Sequence, residues 1–463
     1  MELFVGRKKE LEKLNKVYGR GMAVLIYGRR RVGKSTLIRK FCEGKNYLYL
    51  MCIGDSIRSN LEYIHRMVTE YRGVDSGGYH GILDMVRDLA RICTDGNNII
   101  VIDEYQYLKK ADRSIDSYIQ QLIDDTLQHS QSTLVLCGSA VSMMKGTGED
   151  GNDPLYGRFG CRMHLGPLSF EDCRAFHPDM PDHDLMMLYL TFGGVPRYHK
   201  GSDCRTFKEF FIRNCLEDPW VADEALFLLN TDFPNSSECD HVLKVIAQGS
   251  VTPKEIQERT GLGTRYVAIV KALMDNGVLD TVRPMFRGAK RSTYYIRDVF
   301  LSFYYGVLRE RDNLLEHKDR EKVYELIHPY LKTHLGTVFE RYCMDVLRRE
   351  YPVIDIGRWW IDDPKRDIHE DIDIVAEVSF GRYRVNIFAE CKFISKKMGF
   401  HQYNQLDGRV QHFFDHCNPC LMLISESGFE DDLVDFAESA GMMLIGPDEL
   451  YGHRPFPGMP APE

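Results

Sequence analysis

The residues Gly28-Arg29-Arg30-Arg31-Val32-Gly33-Lys34-Ser35 carry the most specific chemistry in the sequence. Glycines at this spacing let backbone N–H groups turn inward around phosphate oxygens, the lysine reaches the β- and γ-phosphates, and the hydroxyl completes a Mg2+ shell. The motif therefore predicts nucleotide binding by residues 28–35 together with Thr36, Lys34 being catalytic and Ser35 a metal ligand. Hydrolysis needs acidic partners, and Asp103-Glu104 follows an apolar run: Asp103 is placed to hold Mg2+ through water, Glu104 to orient or deprotonate the attacking water. Ser139, after a third apolar run, is a candidate sensor of the γ-phosphate. A second constellation lies far downstream, where Asp373, Glu390 and Lys392 fall on two alternating strands. Two carboxylates and a lysine converging from a hairpin suit a divalent cation and a phosphodiester, and Glu340 is a further metal ligand from the preceding helix. Alternating acid and base is equally what the solvated face of an antiparallel hairpin shows, and the spacing alone leaves both readings open.

These groups need elements to position them. Met22–Tyr27 reads as a buried strand, the glycine-bounded loop follows, and a helix begins at Thr36, which is the context the phosphate loop requires. Ile99–Ile102 and Thr133–Cys137 read as further buried strands, so the fold class is α/β with a parallel sheet. Helical periodicity then dominates up to a Gly193-Gly194-Val195-Pro196 turn, a helix C-cap with a proline stop. Thr252-Pro253 with Glu255 is a capping-box start, and a helix over 264–276 followed by strands at 278–282 and 293–296 completes a helix-turn-helix with a β-hairpin, a winged helix. Its candidate DNA contacts are Arg265, Tyr266 and Lys271 on the second helix and Arg287, Lys290 and Arg291 in the wing; a packing module with a solvated hairpin is the alternative. A helix over 336–350, strands at 371–378 and 383–393, and closing strands at 421–425 and 442–445 build a last α/β unit.

A length of 463 residues exceeds one ordinary core. The expected divisions are an ATPase core (1–165), a helical lid (166–235), the winged helix (236–315) and a C-terminal unit (320–463). With 44% apolar and 27% charged residues the composition is globular, and no apolar run is long enough to span a bilayer. Scattered cysteines in apolar stretches fit reduced thiols and, without a secretory signal at the N-terminus, a cytoplasmic location with no membrane partner. A net charge of −9 restricts any nucleic-acid contact to a local patch.

Several segments resemble one family. Phe4-Val5-Gly6-Arg7, the phosphate loop, Asp103-Glu104, Leu136-Cys137-Gly138-Ser139, Leu155-Tyr156-Gly157-Arg158 and the Gly193–Tyr198 turn are similar to the archaeal-type ATPases of the AAA+ and STAND assemblage. The resemblance implies that Val5 and Gly6 lie against the adenine and that Pro196 abuts the base from a lid. It also implies that Arg158 neutralises transition-state charge, in cis or across a subunit interface; a solvated surface arginine is the alternative. Val338-Phe339-Glu340, Ile356–Trp360, Asp371–Ala376 and Phe388–Phe393 resemble the domain that follows such ATPases, itself similar to the PD-(D/E)xK restriction-endonuclease-like fold. Ile372 stands before Asp373 where that pattern has proline. The expectation is an ATP- and Mg2+-dependent switch coupled to a DNA-binding module and a metal-dependent deoxyribonuclease-like domain, with nucleic acid and a second copy of the chain, in a homo-oligomer, as candidate partners. A STAND-type signalling ATPase and a DNA-binding regulator with an inactive nuclease fold are the alternatives.

Overall fold

Five strands form the first sheet: β1 (Met22–Tyr27), β2 (Tyr47–Met51), β3 (Ile99–Asp103), β4 (Thr133–Gly138) and β5 (Phe159–His164), in the order β2-β3-β4-β1-β5, the three inner ones largely buried. Every pairing is parallel. The continuous β-branched run of β3 is buried at every position, as expected of a strand covered on both faces. Ligands gather at the carboxyl ends of strands in such a sheet. The register sets Tyr27 beside Gly138 and Ile102 beside Leu136, so the loops leaving β1, β3 and β4 open on one edge.

The computed structural model describes residues 3–458 except 76, 150, 201–202, 219, 250, 287–291, 364–366, 382, 394 and 415–418. It divides into two compact units, Met1–Phe176 with Gly194–Lys200, and His177–Gly193 with Gly201–Glu463. The expected lid segment is thus shared between them, its Pro196 turn belonging to the first unit.

In the second unit, helices Ser236–Ala247, Pro253–Thr260 and Arg265–Asp275 precede an antiparallel hairpin of β6 (Leu279–Val282) and β7 (Thr293–Ile296). Thr252 caps its helix as a full capping box: its hydroxyl accepts from the Glu255 N–H, and the Glu255 carboxylate accepts from the Thr252 N–H. The helix expected from residue 336 begins sixteen residues earlier, at Arg320, and runs through Pro329 to Glu350. A second sheet follows, built from β8 (Val353–Asp363), β9 (Ile368–Phe380), β10 (Tyr383–Lys392), β11 (Pro419–Ser425) and β12 (Met443–Ile445) in the order β12-β11-β10-β9-β8. The expected β9–β10 hairpin is antiparallel, but β10 pairs in parallel with β11 on its other side, so the hairpin is interior to a mixed sheet. A short segment after β6 joins the outer edge of β8: the Met285 N–H donates to the Arg358 carbonyl at 2.7 Å and the Arg358 N–H to the Arg283 carbonyl at 3.2 Å. Gly357 permits this approach, since a Cβ there would stand 2.4 Å from the Arg283 carbonyl oxygen. Phe286 then packs its ring on Phe388 and Phe414, and Met285 enters the core with Trp359 and Ile372.

Candidate nucleotide site and carboxylate cluster

The loop after β1 turns through two left-handed residues, Arg31 (φ 68°) and Gly33 (φ 93°), before the helix Lys34–Cys42 starts. A left-handed conformation costs a non-glycine residue about 1–2 kcal/mol, so Arg31 is held there by its surroundings. Buried Lys34 donates from Nζ to the carbonyls of Gly28 at 2.8 Å and Arg29 at 3.0 Å, which coils the loop around its ammonium. Ser35, at the start of the same helix, donates from Oγ to Asp103 Oδ2 at 2.8 Å, and the Tyr49 hydroxyl from β2 donates to the same oxygen. Helix N-terminus, ammonium, hydroxyl and carboxylate thus converge on one edge of the sheet. They fit a Mg2+-bound triphosphate: Asp103 is 1% exposed, and its oxygen already binds the hydroxyl that a phosphate loop supplies to the metal.

Glu104 is also left-handed (φ 56°), which turns its carboxylate away from the strand direction. It receives the Ser139 hydroxyl at 2.8 Å and the Gln106 side-chain amide, while the Arg30 guanidinium stands 3.6 Å away. Gln106 also donates to Ser139 at 3.0 Å. Ser139 therefore meets the glutamate and not open space at the sheet edge. Sequence reasoning missed Gln106 and Tyr49; a buried polar residue two positions after the acidic pair was the available signal for the first.

The other expected residues of this unit separate into two groups. Arg7 donates to the Val32 and Gly166 carbonyls, tying the Val5-Gly6 segment to the loop. Pro196 lies over the loop as well, its Cγ 3.7 Å from where a Gly33 Cβ would be. Arg158 is not brought to the loop. It precedes Phe159, which pairs with Ala23, whereas the loop leaves β1 after Tyr27. Four residue steps of strand, roughly 13 Å, separate the two ends, and the guanidinium instead forms a forked pair with Asp124 at 2.8 Å. In this placement Arg158 does not reach its own loop; action on a neighbouring molecule and a surface arginine paired with Asp124 are both left open.

In the second unit the hairpin carboxylates are not solvated. Asp373 is 6% and Glu390 7% exposed, because helices and further strands cover both faces at this end of β10. Lys392 Nζ lies 2.5 Å from Glu390 and 3.7 Å from Asp373, and the Cys391 N–H donates to Asp373 at 3.0 Å. Arg358, reaching in from β8, stands 3.0 Å from Asp371, 3.5 Å from Glu340 and 3.9 Å from Asp373. Arg409, on the helix Phe400–Phe413, is 2.7 Å from Glu370 and 3.5 Å from Glu390. Burial, then the charge of Asp373, pushes Glu340 up to about 7, and the same two causes raise Glu390. Burial pulls Lys392 down, but Asp373 and Glu390 outweigh it and leave its pKa raised. The set Glu340, Asp373 and Glu390 is all oxygen, the chemistry a hard divalent cation takes. Among the described residues, however, no three His, Cys, Asp or Glu side chains form a ready metal cluster. Cations stand between these carboxylates: Arg358 between Glu340 and Asp373, and Lys392 between Asp373 and Glu390. Arg358 and Arg409 went unnoticed in the sequence, although Arg358 sits in the Ile356–Trp360 motif.

Of the candidate DNA contacts, Arg265 and Lys271 are exposed along the helix Arg265–Asp275, with Arg265 paired to Glu238 at 2.8 Å, and Tyr266 is half-buried. Arg287, Lys290 and Arg291 lie outside the described residues.

Residues 4–199 match the family model of an ATPase domain predominantly from Archaea. They are an archaeal-type ATPase domain. Residues 304–402 match a second family, of archaeal and bacterial proteins of unknown function. An uncharacterized protein of Methanocaldococcus jannaschii is 26% identical over 392 residues, covering 81% of this chain and 84% of that protein. An uncharacterized ATP-binding protein of the same organism is 51% identical over 45 residues, 9% of this chain and 76% of that protein. Among solved structures, the Walker-type ATPase of Pyrococcus abyssi aligns with a TM-score of 0.49 at 18% identity, over 65% of this chain and 96% of that one. The family match supports ATP binding and hydrolysis by residues 4–199. No helix among the described residues is long and apolar enough to cross a membrane.

Proposed function

We propose that this chain is an ATP-hydrolysing switch whose output is the Mg2+-dependent cutting of a nucleic acid, in the cytoplasm. In the first unit, Ser35 and Asp103 would hold the Mg2+ that neutralises charge on the nucleotide's phosphates. Lys34 exchanges its two loop carbonyls for phosphate oxygens, and Glu104, held by Ser139 and Gln106, orients the attacking water. Val5, Gly6 and Pro196 border the base, and Arg158 serves a neighbouring copy in a homo-oligomer. The chain crosses between its units at Gly193-Gly194, two residues before Pro196, so nucleotide state at the loop has a covalent route to the second unit.

In the second unit the helix-turn-helix and hairpin act as a winged helix, with Arg265, Tyr266 and Lys271 turned to DNA. Glu340, Asp373 and Glu390 would hold a divalent cation, which would polarise the scissile phosphodiester. Lys392 steadies charge on the phosphate. The observation that carries this reading is the burial of Asp373 and Glu390 beside Lys392, an arrangement that a merely solvated hairpin would not hold. The alternative reading, a DNA-binding regulator with an inactive fold, is favoured by Arg358 lying between the carboxylates. Incubation of the chain with plasmid and single-stranded DNA, in Mg2+ or Mn2+, with and without ATP, decides between them. Cutting that disappears in Asp373→Ala and Lys392→Ala supports the nuclease. Binding without cutting in every metal supports the regulator.

A further inference from the structure

A cavity of about 260 Å3 lies in the second unit between the end of the helix Ser236–Ala247, strand β7 and the long helix Arg320–Glu350. Its walls combine the side chains of Tyr294, Tyr295 and Tyr330 with those of Thr337, His334 and Arg341. None of these belongs to the phosphate loop or to the carboxylate cluster. We propose that this cavity is a binding site for a small oxyanion, a phosphate monoester carried on a flat apolar body, with Arg341 as its anchor.

Arg341 motivates the assignment. Its guanidinium lies over the Tyr295 ring, 4.4 Å from the centroid, and among the described residues donates once, to the Ile296 carbonyl at 3.2 Å. Among the described residues it makes no ion pair, although its neighbours Glu340 and Arg358 are charged. A guanidinium presents five N–H donors in a planar fork matched to phosphate and carboxylate, and one carbonyl leaves most of that fork unused. An uncompensated charge in such a place is costly, and an oxyanion entering the cavity offsets it. His334 adds a second unmet group. Burial lowers its pKa to about 3, so the ring is neutral; the ring bonds the Leu190 backbone, and among the described residues its Nε2 has no hydrogen-bond partner. A neutral ring nitrogen accepts the O–H of a protonated monoester or of a ligand hydroxyl. The tyrosine walls supply the flat apolar surface that a free inorganic anion would not use.

The site's position suggests its consequence. Arg341 follows Glu340 on the long helix, so occupancy of the cavity would be felt one residue from the carboxylate cluster, but the binding claim does not depend on the cluster being a nuclease.

The test is calorimetric titration of the full chain carrying Lys34→Ala, which disables the phosphate loop, with phenyl phosphate, inorganic phosphate and phenol. Phenyl phosphate is expected to saturate one site at least tenfold more tightly than either of the others. Inorganic phosphate binding as tightly as the ester would overturn the flat-body half of the assignment, and phenol binding as tightly would overturn the anion half. Arg341→Gln should weaken the ester at least tenfold. Ala247→Phe, which narrows the cavity without touching the arginine, should abolish binding and keeps the test decisive if Arg341→Gln fails to fold. Absence of saturable binding, or unchanged binding in Ala247→Phe, would overturn the proposal.

Discussion

Replacing Arg358 by leucine tests whether that guanidinium occupies the place of a cation. It faces Asp371, Glu340 and Asp373 at 3.0, 3.5 and 3.9 Å, so its removal leaves these carboxylates confronting one another with Lys392 as the remaining nearby cation on Asp373. Breaking a buried pair in this way costs about 3–5 kcal/mol. The Arg358 side chain is 32% exposed, and screening by water reduces the expected loss to about 1–2 kcal/mol. At about 2–4 °C per kcal/mol for a domain of moderate size, the transition of the second unit should fall by about 2–8 °C. Mg2+ should then return more than it does in the parent protein. A ligand at a hundredfold excess over its Kd stabilises by about 2.7 kcal/mol, but in the parent the guanidinium competes for the same oxygens. The assay is scanning calorimetry of both proteins in a Lys34→Ala background, without nucleotide, across a MgCl2 series. Equal Mg2+-induced shifts in the two proteins would refute the reasoning, because the arginine would then not be standing where the cation binds.

Lys34→Ala should abolish phosphate release from ATP. Glu104→Gln should keep nucleotide binding and lose at least about a hundredfold in turnover, the scale of removing a positioned acid–base group, as read by filter binding beside the hydrolysis assay. Asp373→Ala should leave ATP hydrolysis in the absence of DNA at its parental rate, measured in the same assay. His183 and Glu426 form a pair at 2.6 Å in which hydrogen bonding and charge from Glu426 raise the histidine; Glu426, despite the opposing effect of burial, is lowered by His183 and Tyr451. The stabilising pair is complete above the usual glutamate pKa of 4.5 and below the usual histidine pKa of 6.5, and it is lost as pH rises through the raised histidine value or falls through the lowered glutamate value. The stability difference between the parent and His183→Gln should therefore peak between those limits in denaturation curves taken across pH. Thr252→Ala removes a capping-box acceptor and should cost about 1 kcal/mol of second-unit stability by urea denaturation.

The phosphate loop was legible because its chemistry is local: strand, glycine, lysine and hydroxyl succeed one another within 22–36, and β1 begins and ends where the apolar run does. Asp103-Glu104 was legible for the same reason. Their fixing partners were not. Tyr49 reaches Asp103 from another strand and Gln106 reaches Ser139 across 33 positions, relations that only the sheet order creates. In the second unit, the β9–β10 hairpin followed from period-two alternation, yet that pattern could not say whether the polar face met water. The pairing of β10 with β11 decided it, by making the hairpin interior. Strand β8 escaped notice because its polar Asp355 and Arg358 interrupt the apolar pattern, and with it went the arginine that now defines the cluster. The long helix was read short because Pro329 and Gly336 sit inside it, residues that ordinarily end helices but are tolerated where packing against the neighbouring elements holds the rest.

The junction between Arg283–Met285 and Arg358 bears on how the edge of β8 is kept from pairing with a second molecule. Strand β8 is an eleven-residue outer strand, long enough to recruit an identical strand from another molecule through its unpaired backbone groups. The segment after β6 uses the Arg358 N–H and carbonyl, places Pro284 against the strand, and buries Met285 beside Trp359, so a second molecule finds this stretch already taken. A fragment beginning at Arg320 would uncover both the backbone groups and the apolar surface under Met285. Light scattering should show such a fragment self-associating more strongly than the full chain at equal concentration, and the segment after β6 would then act as an intramolecular guard of its neighbour's edge.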